Sequence, residues 1–197
     1  MVRKKIMSPN LSIPSAFTSW LQALPLWWRH ALADVRGSGR VLPQASLARI
    51  EAQVAQGERL HSGQIRVCVE THLPRSYLWR CVRQGTPLPQ LIAQRALMLF
   101  AKLRVWDTER NNGVLIYVLL AEHAIHVVAD RGVNTHVESW TSVISPMQRA
   151  FAQGDFESGL LQAVDAVSEV MALHFPVALT ASGPARPDAM PDAPVLL

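Results

Sequence analysis

The sequence predicts an α/β fold, a three-layer α/β/α sandwich around a small mixed sheet, and three observations carry that expectation. The stretch Gln64–Glu70 alternates strictly, with Ile65, Val67 and Val69 on one side and Arg66, Cys68 and Glu70 on the other. Val114–Leu120 is apolar throughout, the pattern of a central strand covered on both faces. Between them lies an amphipathic segment long enough for a crossover helix, so the two strands read as parallel members of a right-handed βαβ unit. A third strand, Ile125–Ala129, follows after only Ala121–His123 and must return antiparallel as a hairpin.

The flanking elements follow in chain order. Ser15 is placed to cap a helix in which Phe17, Trp20, Leu21, Leu24, Trp27, Trp28, Ala31 and Leu32 fall near helical spacing, divided at Pro25. A second helix runs from Ser46 to about His61, with Leu47, Ile50, Val54 and Leu60 inward. Leu73–Pro89 holds three prolines and reads as a loop with a helical turn around Tyr77–Val82. Pro89 suits a helix start, and Ile92, Ala96, Leu99, Phe100 and Leu103 mark the inward face of the crossover helix. Asn111-Asn112-Gly113 is a turn. A helix over Thr135–Ala152, bent near Pro146, buries Val137, Trp140, Ile144, Met147 and Phe151. Asp155 caps the last helix, which uses Leu160, Leu161, Val164, Val167 and Met171 and stops at Phe175-Pro176. The chain thus divides into a Trp-rich helical extension (1–45), a domain (46–178) and an unstructured Ala/Pro-rich tail (179–197).

Composition narrows the function. Of 197 residues 49% are hydrophobic and 17% charged, enough for a real core. Arg3, Lys4 and Lys5 supply three units of the +4 net charge, so the remainder is nearly neutral. With no interleaved Arg–aromatic strand pattern, nucleic acid is not an expected partner. Cys68 and Cys81 lack metal or disulfide spacing, which fits reduced thiols in the cytoplasm. No clean apolar stretch separates Arg3-Lys4-Lys5 from Ala31-Leu32-Ala33, so no secretory leader is read. No transmembrane segment is read either, since Val114–Leu120 falls far short of the roughly 20 residues required.

Motifs for chemistry are few. There is no nucleophile elbow, P-loop, GxGxxG or HExxH. His123, His126 and His136 share no helical pair spacing, and His61 and His72 read as solvated. The candidate ligand site gathers Asp107, Glu109, Asn111, Asn112 and Asp130, because the turn entering one strand and the residue leaving its antiparallel neighbour meet at one sheet edge. Carboxylate and amide oxygens there suit Ca²⁺ or Mg²⁺, and such an ion would polarise a phosphate ester. The competing reading is a purely structural turn, with Asp130 accepting from nearby amides. No residue is assigned a catalytic role and no organic cofactor is called for.

An ordered set of residues resembles the TPM domain family, also called TPM-phosphatase. The set comprises Thr108-Glu109-Arg110-Asn111-Asn112-Gly113, the strand Val114–Val118, Asp130-Arg131-Gly132-Val133, Trp140, Phe151-Ala152-Gln153-Gly154-Asp155-Phe156, Gly159-Leu160 and His174-Phe175-Pro176. The resemblance implies a small mixed sheet between helices. It also implies an envelope-linked role, since bacterial members are often encoded beside LemA-type proteins, and acid phosphatase activity or calcium binding for some members. Relatives with the stronger metal claims carry Asp-Asn-Gly or Asp-Lys-Gly before the strand, whereas Asn111 is neutral here.

The expected function is a non-enzymatic module that binds a protein partner, with Trp20, Trp27 and Trp28 as its surface and peripheral membrane contact within reach of the same helix. The alternatives are a weak metal-dependent acid phosphatase using the strand-end acids and a calcium-binding regulatory domain.

Overall fold

The computed structural model describes residues 26–36, 38–135, 140–177 and 190–197. Trp20 and the side chain of Trp27 lie outside the described residues. In chain order the elements are helices α1 (Leu26–Arg36) and α2 (Gln44–Glu58), strand β1 (Gln64–Glu70), and helices α3 (Arg75–Gln84) and α4 (Leu88–Lys102). Strands β2 (Gly113–Leu119) and β3 (Ala124–Ala129) follow, then helices α5 (Trp140–Ile144), α6 (Gln148–Gln153) and α7 (Phe156–His174), and finally strand β4 (Val195–Leu196).

The sheet has the order β3-β2-β1-β4. β1 and β2 run parallel from Gln64↔Gly113 to Glu70↔Leu119, joined through α4, and β3 returns antiparallel from Leu119↔Ala124 to Val114↔Ala129. Both faces are covered. On one, Ile65, Val67, Val69, Ile116, Val118 and Ile125 pack with Ile50 and Val54 of α2 and Leu160, Val164 and Val167 of α7. On the other, Cys68, Leu115, Tyr117 and Leu119 pack with Leu78 of α3 and Ile92, Ala96 and Leu99 of α4. The architecture is the expected α/β sandwich, because a sheet apolar on both faces must bury both.

Prolines start helices here. Pro74 precedes α3, which ends at Gly85 with φ of 63°, and α4 follows Pro87 and carries Pro89 in its first turn. A proline there has its φ already set and loses no needed N–H. The segment read as a loop with one helical turn is therefore a ten-residue helix. The stretch expected as one bent helix is broken into a turn Arg131–Asn134, α5, a 3₁₀ turn Ser145–Met147 and α6, with residues 136–139 undescribed. Pro146, lacking an N–H, sits in that 3₁₀ turn. Asp155 caps α7 as expected, its carboxylate accepting from Ser158 N at 3.2 Å.

Two further corrections concern burial. Leu60, expected inward, is 61% exposed because α2 stops at Glu58 and the chain turns out of helical phase. His61, expected in solvent, is buried; its Nδ1 lies 3.1 Å from Gly63 O and its backbone bridges to Pro176. The expectation of an unstructured tail also fails for residues 190–197. Met190 is buried in the second core, and Val195 and Leu196 pair in parallel with Cys68 and Val69. Composition concealed this, because a few apolar anchors suffice when an open strand edge offers unpaired backbone groups.

Of the described tryptophan side chains, Trp140 packs against the first core and the other three face outward. Trp28, Trp79 and Trp106 are all about half exposed or more, while the largest buried aromatic side chains are Tyr117 and Phe151.

Candidate functional site

The bend before β2 and the residue after β3 meet as the register demands, with Asp130 N donating to Gly113 O at 2.9 Å. Glycine is required on both sides of this junction. A Cβ on Gly113 would collide with the Val105 carbonyl, and one on Gly132 would lie 2.6 Å from Asn111 O. Gly132 N uses that closeness to donate to Asn111 O at 3.0 Å. The sequence folds tightly here because the two glycines admit backbone against backbone.

Each polar side chain of the junction already has work. Asp130 Oδ1 accepts from Arg131 N at 2.7 Å, capping the short turn Arg131–Asn134. Asn111 sits at φ of 52°, and its Oδ1 accepts from Arg131 Nε and Nη2 at 3.1 and 2.8 Å. Asn112 is fully buried; its N–H donates to Thr108 Oγ1 at 2.9 Å and its Nδ2 to Ser62 O at 3.1 Å, fastening the bend to the chain entering β1. Asp107 instead pairs with Arg104 at 3.2 Å and lines a pocket of about 200 Å³ with Arg66, Leu103, Met190 and Pro191. Glu109 is exposed in the turn. The structure thus brings Asn111, Asn112 and Asp130 to one junction, while Asp107 faces Arg104 and Glu109 faces solvent.

This donor set does not fit a Ca²⁺ or Mg²⁺ cage. Calcium takes six to eight oxygens, several of them carboxylate. The junction offers one carboxylate and two neutral amides, with the Arg131 guanidinium planted on Asn111. Among the described residues no three His, Cys, Asp or Glu side chains converge as a metal set. Two features pull the other way: Asp130 Oδ2 and Asn112 Oδ1 are buried oxygens with no hydrogen-bond partner among those residues.

The opposite end of the sheet holds charges that sequence reasoning missed. Glu70, buried at the end of β1, accepts from Tyr117 Oη at 2.6 Å and from Arg95 Nε at 2.9 and 3.1 Å, and it also pairs with Arg95 Nη2. Burial raises the Tyr117 hydroxyl pKa, and the Glu70 charge adds to the effect. Burial also pushes the Cys68 thiol up to about 12, again aided by Glu70, so it is no nucleophile. Burial opposes the Arg95 charge, yet Glu70 together with Tyr117 and Tyr77 outweighs it and the Arg95 pKa is raised. The signal for this network was present: Arg95 falls on the apolar face of α4 beside Ile92, Ala96 and Leu99, opposite an acid on a buried strand.

A second cluster at the same end fastens α1. His30 is buried, and its Nδ1 accepts from Leu73 N at 3.1 Å. Its proton therefore sits on Nε2, which faces Glu122 Oε1 at 3.2 Å. Arg29 Nη2 reaches the same oxygen at 3.1 Å. With Arg29 and His30 turned inward, Trp28 and Leu32 are left outward, 62% and 46% exposed.

A family model described as TPM domain matches residues 35–170. The chain belongs to the TPM domain family. The fold agrees with a solved TPM-fold protein, the NMR structure of BA42 from the psychrophilic bacterium Bizionia argentinensis. That structure is similar to this chain at a TM-score of 0.61 and 24% identity, covering 79% of this chain and 94% of BA42. No curated protein matches the chain. The TPM match takes in both the junction around Asp130 and the Glu70–Arg95–Tyr117 network, and it begins after most of α1. No described helix is long and apolar enough to cross a membrane.

Proposed function

We propose that this TPM-domain chain is a non-enzymatic binding module whose partner is a protein at the cytoplasmic face of the cell envelope. One observation carries the reading: Trp28 and Leu32, four residues apart, face outward on a helix held by Arg29 on Glu122 and by His30 accepting from Leu73 N. A rigid aromatic anchor presented this way is what interface hot spots are made of, worth about 2–4 kcal/mol when truncated. The chemistry of the Asp130 junction supports the same reading from the other side, because Asp130 Oδ1, Asn111 Oδ1 and Asn112 Nδ2 are committed to holding the bend.

The test is binding of the purified chain to a LemA-type protein from the same genome, compared with Trp28→Ser. Weakening by tenfold or more in the variant supports the proposal; equal capture by both proteins sinks this surface. Co-sedimentation with anionic vesicles in place of the protein would assign the face to peripheral membrane contact instead.

The phosphatase reading and the calcium-module reading rest on two unpartnered oxygens, Asp130 Oδ2 and Asn112 Oδ1. Phosphate-ester hydrolysis that disappears in Asp130→Ala would restore the first. Heat on titrating millimolar Ca²⁺ would restore the second.

A further inference from the structure

Strand β4 is unusually slight for the job it does. It pairs with β1 through Cys68↔Val195 and Val69↔Leu196, and among the described residues the outer edge of Gln64–Val67 joins no other ladder. Leu197 extends the pairing: its N–H donates to Val69 O and its carbonyl accepts from Thr71 N, both at 2.9 Å. Upstream, Met190 is the apolar anchor, 7% exposed in the core of the second face. Arg66 adds two polar contacts, donating from Nη1 to Pro191 O and lying within electrostatic reach of Asp192. These contacts are backbone pairing, one anchor and one charge, the ingredients of strand addition to a sheet edge. None requires the incoming strand to belong to the same chain, and residues 178–189 stand between it and the last described residue of the domain.

We propose that the outer edge of β1 is a binding site for an extended segment of a partner protein, running parallel to β1, with an unbranched apolar anchor in the Met190 slot and an acid two residues later facing Arg66. Residues 190–197 occupy that site in cis and compete for it. A partner strand longer than β4 can pair with β1 before Cys68, which gives it backbone hydrogen bonds the tail does not make, while the Ile65 N–H stays with Glu58 Oε1 at 2.7 Å. Met190, Asp192 and the charge of Arg66 define the occupant's chemistry, and the site is independent of the Trp28 face.

The experiment uses the full chain and a fluorescent octapeptide, Met-Pro-Asp-Ala-Pro-Val-Leu-Leu, equal to residues 190–197. Anisotropy is expected to show saturable binding. Peptides carrying Met190→Asp, or an N-methyl group at the Leu197 nitrogen, should bind at least tenfold more weakly, and these probes leave the protein's own folding untouched. Hydrogen exchange should show the chain's Leu197 amide losing protection as unlabelled peptide rises, while Trp28→Ser changes neither readout. Absence of saturable binding at millimolar peptide, equal binding of the altered peptides, or an unchanged Leu197 amide would overturn the proposal. Concentration-dependent self-association that the peptide suppresses would also overturn it, assigning the edge to tails exchanged between copies.

Discussion

The two ends of the sheet solve opposite problems. At the end where β2 begins, the polar residues are small, mostly neutral and spent on backbone: Asn112 on Ser62, Asp130 on Arg131 N, Asn111 under the Arg131 guanidinium. At the end where β1 and β2 finish, full charges are paired out of solvent, Glu70 with Arg95 under the Tyr117 hydroxyl, and Glu122 with Arg29 beside the His30 ring. The first end shapes a bend and the second holds helices α4 and α1 to the sheet. Charged residues in a sequence point to a site only when they remain available. Here the visible acids are dispersed or used in capping, and the buried ones are partners in fastening.

The comparison can be broken at its strongest point first. Glu70→Ala strands a buried guanidinium, and removing one member of such a pair costs about 3–5 kcal/mol. Urea denaturation is expected to show that loss, and a loss under 1 kcal/mol would mean the network does not hold α4 to β1. Gly132→Ala at the other end should cost about 1–3 kcal/mol, since a Cβ 2.6 Å from the Asn111 carbonyl forces backbone to move. Asp130→Ala removes only a cap, about 1 kcal/mol by the same denaturation measurement. If Asp130→Ala proved as damaging as Glu70→Ala, the contrast between the ends would fall.

The smallest effect is a pH dependence. Burial lowers the pKa of His126, and burial lowers that of His61 against an opposing hydrogen bond to Gly63 O. With folded values below the ordinary 6.5, the unfolded chain binds these protons first. Stability is therefore full above pH 6.5 and falls as the pH drops below it. Thermal melts at pH 7.5 and 5.5 should show a lower Tm in acid, and His126→Gln should shrink the difference.

Much of the fold was legible because strand periodicity survives without its context. β1 was placed at Gln64–Glu70 and that is where it lies, and β2 and β3 fell within one residue of their bounds. What the sequence concealed has physical causes. Pro74 and Pro87 mark loops by propensity and helix starts by position, so α3 was read as a loop with a single turn. The closing strand hid because its apolar residues are scattered among Pro, Asp and Ala, and only the vacant edge of β1 gives them a purpose. At the junction, the contact between Asp130 and the bend was legible from hairpin register. That Arg131 would take the Asn111 amide oxygen was not, since it depends on the left-handed backbone of Asn111.

The outward placement of Trp28, Trp79 and Trp106 has a practical consequence for anyone studying the protein in solution. Emission from these three sits near its water-exposed wavelength in the native state, so among the described tryptophans only Trp140, packed against the first core, reports the melting of a core. The same arrangement makes the fluorophores reporters of the outside: a blue shift on adding another molecule signals that something has covered the surface.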